Sequence, residues 1–430
     1  MSGDVVIDVI LMMLSASLGI NITFWFAVGA VRALTELFRG SPTDRPALLA
    51  PADVAAVIPA HNEELALPRC IEALLAVLPA WQVYVASDGS RDRTADIARS
   101  FGCNVLDIQP NGGKARAIAG AIRHFDLCED YSVILIQDAD SEIDPLYLRE
   151  GLPLFNDPQV AAVAGHVLSR WRKQRRPSLD MVFTAYRTRL YRLLQVAFQY
   201  GLSWRPFSLS YIAPGFASMY RSSAIRQIDI TAPGLVIEDF NMTFEVQHRR
   251  LGRIAYSPRV RCSSEDPFRL SDYRKQVQRW YLGFWQTVRR HGIWPGAFWI
   301  ALGGLVLELL FISIFTLALP LMVLLWAVVG LELPALSLID LHLHSVSAPE
   351  LAITFIAVDY LLTIVVAAAD RRPILLIYGL GFPFLRLLDA ALFLRALAAS
   401  FAAASDGRWQ SPRRFPGSAS AGPVFKEIGS

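Results

Sequence analysis

The chain has 430 residues, 53% of them hydrophobic and 18% charged, with a mean hydropathy of +0.37. That length allows a catalytic domain plus a membrane region, and the apolar excess gathers near the N-terminus and in the last third, which argues against one large soluble core. A net charge of +3 without a basic tail excludes nucleic acid as the expected partner, and four cysteines (Cys70, Cys103, Cys128, Cys262) without CxxC spacing exclude a disulfide scaffold.

Val9 to Val31 is long and apolar enough to cross a hydrocarbon core of about 30 Å. A cleaved signal peptide would want a basic start and a shorter apolar core, whereas Asp4 and Asp8 open this chain. Arg32, Arg39 and Arg45 follow the run, so the positive-inside rule puts the N-terminus outside and the middle domain in the cytoplasm. Residues 1–50 therefore read as a membrane helix with a linker marked by Pro42 and Pro46.

Residues 51–292 read as a cytoplasmic domain. Strands are predicted at Val54–Ile58, Gln82–Ala86, Asn104–Ile108 and Val133–Gln137, and helices at Glu64–Leu78, Thr94–Phe101 and Lys114–Phe125. Such alternation predicts a mostly parallel, Rossmann-like α/β sheet with helices on both faces. Apolar runs return at Phe298–Val329, Leu351–Ala369 and Ile374–Leu397, placing C-terminal membrane helices in 293–405 and a flexible tail in 406–430. Arg408, Arg413 and Arg414 in that tail prefer the cytoplasm, which conflicts with a three-span count.

Four segments fall where an α/β sheet presents its ligand site, at the carboxyl ends of strands. They are Pro59-Ala60-His61-Asn62-Glu63-Glu64, Ser87-Asp88-Gly89-Ser90, Asn111-Gly112-Gly113-Lys114 and Asp138-Ala139-Asp140. Singly, the first two are ordinary turns with helix caps. A glycine pair and a lysine at a helix start suit phosphate. Two carboxylates at i and i+2 at a strand end can hold a hard divalent cation that also bridges a diphosphate. Val236-Ile237-Glu238-Asp239 and Gln276-Val277-Gln278-Arg279-Trp280 complete an ordered set of six.

With these six segments, the chain resembles the processive, membrane-integrated family 2 glycosyltransferases, a group that includes hyaluronan, chitooligosaccharide, poly-N-acetylglucosamine and cellulose synthases. The resemblance runs from about Val54 to Trp285. It implies a GT-A-like domain on the cytoplasmic face of the plasma (inner) membrane, fused to about four spans. It also implies inverting transfer from a UDP-sugar to a growing β-linked polysaccharide, with export of the product. UDP-N-acetylglucosamine is the preferred donor by analogy alone.

Carried over, the resemblance places Ala60, Asn62, Glu63 and Asp88 at the donor, with Asp88 on the base and Lys114 near the diphosphate. Asp138 would face the nucleotide and, with Asp140, bind Mg²⁺ or Mn²⁺. Asp239, beside Glu238, would be the general base. Arg279 would lie on the diphosphate, with Gly215, Gln276 and Trp280 around the acceptor. Two positions depart from the family pattern: Ser87 stands where many members have Asp, and Ala119 where many have Asn. The rival readings are a non-processive transferase acting on a lipid-linked acceptor and a non-catalytic sugar-nucleotide-binding membrane protein. An intact Asp239 and QxxRW segment speak against both. An oligomer or an accessory export subunit is compatible with the family.

Weaker signals remain. Eight basic residues among aromatics between Arg170 and Arg192 suggest an interfacial helix touching anionic lipid. Trp280–Trp299 suggests a second interface helix. His342 and His344 read as loop residues. Glu308, Asp359, Arg386 and Asp389, inside apolar runs, suggest a polysaccharide conduit, with a purely structural Arg386–Asp389 pair as the alternative.

Overall fold

The computed structural model describes residues 19–172, 177–330 and 347–402. All seven residues of β1 (Val54–Ala60) are buried. Successive side chains enter opposite cores: Val54, Ala56, Ile58 and Ala60 pack under α2 (Leu67–Leu75), Ala55 and Val57 under α4 (Lys114–His124). A strand covered on both faces must be apolar in both phases of its two-residue period. Parallel partners flank it: β2 (Val83–Asp88) and then β3 (Asn104–Ile108) on one side, β4 (Val133–Gln137) on the other. The helix α3 (Thr94–Ser100) joins β2 to β3.

Beyond β4 the sheet changes character. Its order is β3-β2-β1-β4-β7-β6-β8-β5, with β5 (Ser141–Ile143), β6 (Val160–Ser169), β7 (Ala217–Arg221) and β8 (Arg253–Ser264). β7 runs antiparallel to both β4 and β6, and β5 to β8, while β6 and β8 are parallel. The parallel half matches the sequence expectation and the whole is mixed. The expected first two strands each extend two residues further at their carboxyl ends, and the second starts one residue later, so Ala60 and Asp88 lie within them.

The helical part comprises α1 (Ile20–Arg39), α5 (Val182–Arg192), α6 (Glu238–His248), α7 (Leu270–His291), α8 (Ala297–Val329), α9 (Ala348–Ala369), α10 (Ile374–Gly379) and α11 (Phe382–Ala402). Among the described residues, α1, α8 and α9 are long and apolar enough to cross a membrane. Residues 9–18 of the expected first span, His342, His344 and the tail lie outside the described residues. The expected run Ile374–Leu397 is two helices broken at Leu380-Gly381.

Charges near these helices are held by protein. Arg32, expected as a flanking charge, is buried: it donates to Tyr200 O (2.8 Å) and Tyr256 O (3.0 Å), pairs with Glu36 (2.7 Å) and lies over the Tyr200 ring. The charges expected at a conduit are likewise held by protein partners. Glu308 accepts the Asn21 N–H, capping the start of α1 (3.1 Å). Asp359 pairs with Arg189 (2.7 Å) and Arg386 (2.5 Å), and Asp389 accepts the Tyr186 and Tyr273 hydroxyls (3.0 and 2.8 Å). Arg386 therefore pairs across helices, with Asp359. A carboxylate in an apolar run must be compensated, and here cationic or hydroxyl side chains do it.

Several charges of the basic stretch are likewise held by protein. Arg170 pairs with Glu142 (2.6 Å), Arg172 with Asp180 (3.2 Å) and Arg192 with Asp370 (3.2 Å). Arg187 is fully buried. Residues 173–176 lie outside the described residues.

Candidate active site

The loops after β1 and β2 are sewn together by side chains reaching for backbone. Asn62 adopts a left-handed φ of 54°, which Asn tolerates; its Oδ1 accepts the Arg91 N–H (2.8 Å) and its own N–H donates to Ser90 Oγ (3.1 Å). The Glu63 N–H donates to Thr94 Oγ1 (2.8 Å), and Asp92 accepts from the N–H groups of both Glu64 and Thr94 (3.0 Å each). The turn residues that look ordinary in sequence thus build one rigid rim.

Asp88 extends that rim to the glycine loop. Its Oδ1 accepts the Gly112 N–H (2.8 Å) and its Oδ2 the Gly113 N–H (2.7 Å). The carboxylate is fully buried, and Asp88 fixes the loop that starts α4. Gly89 is required beside it, because φ is +65° and a Cβ would lie 2.6 Å from Asn111 N. Ala60 belongs to the sheet core and Glu63 is 1% exposed.

Lys114, the first residue of α4, reaches the centre of the cleft. Its Nζ lies 2.6 Å from Asp138 Oδ1 and 2.7 Å from Glu238 Oε1. Asp239 stands at the first turn of α6, where Gly215 N–H donates to Oδ2 (3.2 Å) and Phe240 N–H to Oδ1 (2.7 Å). Gly215 is the hub: a Cβ there would come within 2.6 Å of Lys114 Nζ and 3.7 Å of both Asp138 Oδ2 and Asp239 Oδ2. Any side chain would plug the space these groups share.

The electrostatics follow from crowding like charges. Desolvation in the cleft, then the neighbouring Glu238, push Asp239 up to about 7, with Lys114 and the two backbone N–H groups opposing. Asp138 is pushed up to about 6 by desolvation, with Asp140 adding to the rise and Lys114 opposing it. Burial alone would lower Lys114, but Asp138, Glu238 and Asp239 outweigh it and hold its proton well above the ordinary lysine range. A carboxyl near neutrality in a cleft suits proton acceptance at working pH.

Two of the three residues expected at the acceptor lie on α7, and the third, Gly215, is the hub just described. Gln276 and Trp280, at i and i+4, share a helix face. Phe216, next to Gly215, meets Trp280 edge-on at 6.3 Å between ring centroids. Its carbonyl accepts the Asp138 N–H (3.3 Å), tying the indole to the carboxylate cluster. Arg279 is half-buried, and its buried Nε donates to no partner among the described residues. Sequence reasoning missed Arg187, whose guanidinium lies 4.1 Å over Trp280 and donates to Gln276 Oε1 (3.2 Å). It also missed Glu142, held by Arg69 (2.9 Å) and Arg170 beside Asp140. The only signal for Arg187 was the mixture of arginines and aromatics in its segment.

Residues 55–228 match the family model described as glycosyl transferase family 2. Over 283 residues the chain is 30% identical to a hyaluronan synthase of Streptococcus pyogenes serotype M3, covering 59% of this chain and 60% of that protein. It is 24% identical over 255 residues to a poly-beta-1,6-N-acetyl-D-glucosamine synthase of Staphylococcus epidermidis, covering 55% and 57%. The chain thus spans about three fifths of the length of these curated relatives. Among solved structures, a mannosyltransferase from Pyrobaculum calidifontis in complex with GDP-Man and Mn²⁺ superposes with a TM-score of 0.52 at 17% identity, covering 84% of this chain and 99% of that one. The mixed sheet, the cleft at its carboxyl edge and these likenesses lead to one assignment: the chain carries a glycosyl transferase family 2 domain over residues 55–228, on a GT-A-like fold.

Proposed function

We propose that this protein is a membrane-embedded, inverting glycosyltransferase that adds sugars from a UDP-sugar to the end of a growing β-linked polysaccharide and exports the product. The observation that carries this reading is the convergence of Lys114, Asp138, Glu238 and Asp239 around the Cβ-free space at Gly215, with Trp280 tied to it through Phe216. Asp239 is the base that takes the acceptor hydroxyl proton. Its backbone donors aim the carboxylate, and Lys114 offers a positive charge where a diphosphate would leave. One base acting in direct displacement inverts the anomeric carbon. The indole of Trp280 suits the apolar face of a pyranose and tolerates sliding between additions. UDP-N-acetylglucosamine is the preferred donor, on the similarity to the two curated synthases.

Asp138 and Asp140 are the residues that would hold Mg²⁺ or Mn²⁺. They fit such an ion: two carboxylates stand at one strand end, and the Lys114 ammonium already lies 2.6 Å from Asp138. Among the described residues no group of three or more His, Cys, Asp or Glu side chains forms a complete metal cage, so the ligand set would need oxygens of the donor. When bound, the cation would neutralise charge developing on the leaving diphosphate.

Incubating the purified protein with a panel of labelled UDP-sugars tests the proposal. Polymer from UDP-N-acetylglucosamine supports it. A single addition to a lipid-linked acceptor would replace it with a non-processive transferase, and binding of UDP-sugars without transfer would leave a binding protein.

A further inference from the structure

Arg187 is among the largest fully buried side chains of the molecule. Among the described residues no carboxylate lies within ion-pair distance of its guanidinium, and Asp389 and Asp266 act on it only from longer range. Aromatic faces surround it: Trp280 at 4.1 Å, Tyr273 at 5.1 Å and Tyr191 at 5.8 Å. One Nη donates to Gln276 Oε1 (3.2 Å), and Nε has no hydrogen-bond partner among the described residues. Burying a cation without a paired anion is costly, and a hydrophobic residue of similar volume fills such a space at least as stably. Packing alone therefore does not account for an arginine here.

Its contacts do. Gln276 and Trp280 are one helical turn apart on α7, and a single guanidinium from α5 engages both, one by hydrogen bond and one through its π face. The hydrogen bond orients the amide. The stacked cation commits one indole face to protein, so that a sugar ring can stack only on the other. We infer that Arg187 is a positioning residue that sets the acceptor platform by locking Trp280 and Gln276 together. This rests on the proposed glycosyl transfer, in which Trp280 meets the terminal sugar.

The test uses the full chain in lipid vesicles, with UDP-N-acetylglucosamine as donor and a short β-linked N-acetylglucosamine oligomer as acceptor. Arg187→Met keeps the volume and removes the charge and the hydrogen bond. Arg187→Lys keeps the charge and loses the planar fork. UDP binding by calorimetry should match the parent protein in both. The acceptor KM should rise about threefold in Arg187→Met, within the scale of a cation–π contact and below the loss expected for Trp280→Ala, and less in Arg187→Lys, and the product should shorten in the same order. Combining Arg187→Met with Trp280→Ala should do no more than Trp280→Ala alone, because both act on one platform.

Parental acceptor KM and product length in both Arg187 variants would overturn the inference, as would full additivity with Trp280→Ala. Equal losses in UDP binding and acceptor use would show Arg187 to be structural. If Arg187→Met yields no UDP-binding protein, Arg187→Lys decides on the same criteria. If Trp280→Ala itself leaves acceptor KM unchanged, the platform reading falls and the inference with it. If Trp280 matters and Arg187 does not, the inference alone falls.

Discussion

The proposed donor side and the proposed acceptor side of the cleft are held in different ways. On the donor side, short polar side chains bind backbone N–H groups a few tens of residues away, as Asp88 does with Gly112 and Gly113. On the acceptor side, arginines bind other side chains across long separations, as Arg187 does with Gln276 and Trp280 and Arg189 does with Asp359. The backbone-anchored half is a fixed rim. The arginine-anchored half joins the catalytic domain to α7, α9 and α11, so changes in the apolar helices can reach the acceptor and leave the donor rim undisturbed. Losses in donor binding should therefore separate from losses in acceptor use.

Chelation gives the largest expected effect. EDTA should reduce transfer to background and Mg²⁺ or Mn²⁺ should restore it; full activity in EDTA would remove Asp138 and Asp140 from any metal role. Asp239→Asn comes next. It preserves size but cannot take a proton, so turnover should fall by roughly 10²–10⁴-fold. Calorimetry should show UDP binding nearly unchanged, and near-parental turnover would mean that another group is the base.

Asp88→Asn sharpens the comparison from the donor side. It turns an acceptor of the Gly113 N–H into an opposing donor, at a cost of about 1–3 kcal/mol for the unsatisfied group. Donor KM should rise by about tenfold while product length at saturating donor stays near normal. Shortened product with unchanged donor KM would contradict the division of the cleft. Trp280→Ala is its mirror image. Stacking beyond area burial is worth about 1 kcal/mol, so acceptor use should weaken by about fivefold and product shorten while UDP binding holds. Normal polymer at a normal rate would reduce Trp280 to a helix anchor.

The smallest effect is in pH. Because Asp239 sits near 7, raised by desolvation and then by Glu238, the base is lost as pH falls below about 7, and the rate should drop about tenfold per unit beneath it. Stability moves the other way. A carboxyl raised in the folded state contributes stability that is full below its unfolded value near 3.8 and is lost as pH rises through about 7. Asp239→Asn should flatten both profiles. A parental acid limb in that variant would assign the titration elsewhere.

Sequence by itself determined the parallel half of the sheet and the order of the site. β1 and β4 are apolar in both phases, β3 is a short run bounded by turn residues, and these patterns are local, so β3 and β4 match their expected bounds. It also set Lys114, Asp138, Glu238 and Asp239 in short motifs beside a strand end or helix start, and Gln276 and Trp280 one turn apart on a helix, the set that the proposed transfer uses. Only the tertiary structure decided how those groups are held. The burial of Asp88 depends on a glycine loop 24 residues away. The antiparallel insertion of β7 between β4 and β6 depends on pairing across long separations that no local period encodes. The arginines between 170 and 192 have the composition of a lipid-facing helix. Acidic partners as distant as Asp359, and aromatic faces as distant as Trp280, turn those described inward, because a charge in low dielectric takes the nearest compensation the fold supplies.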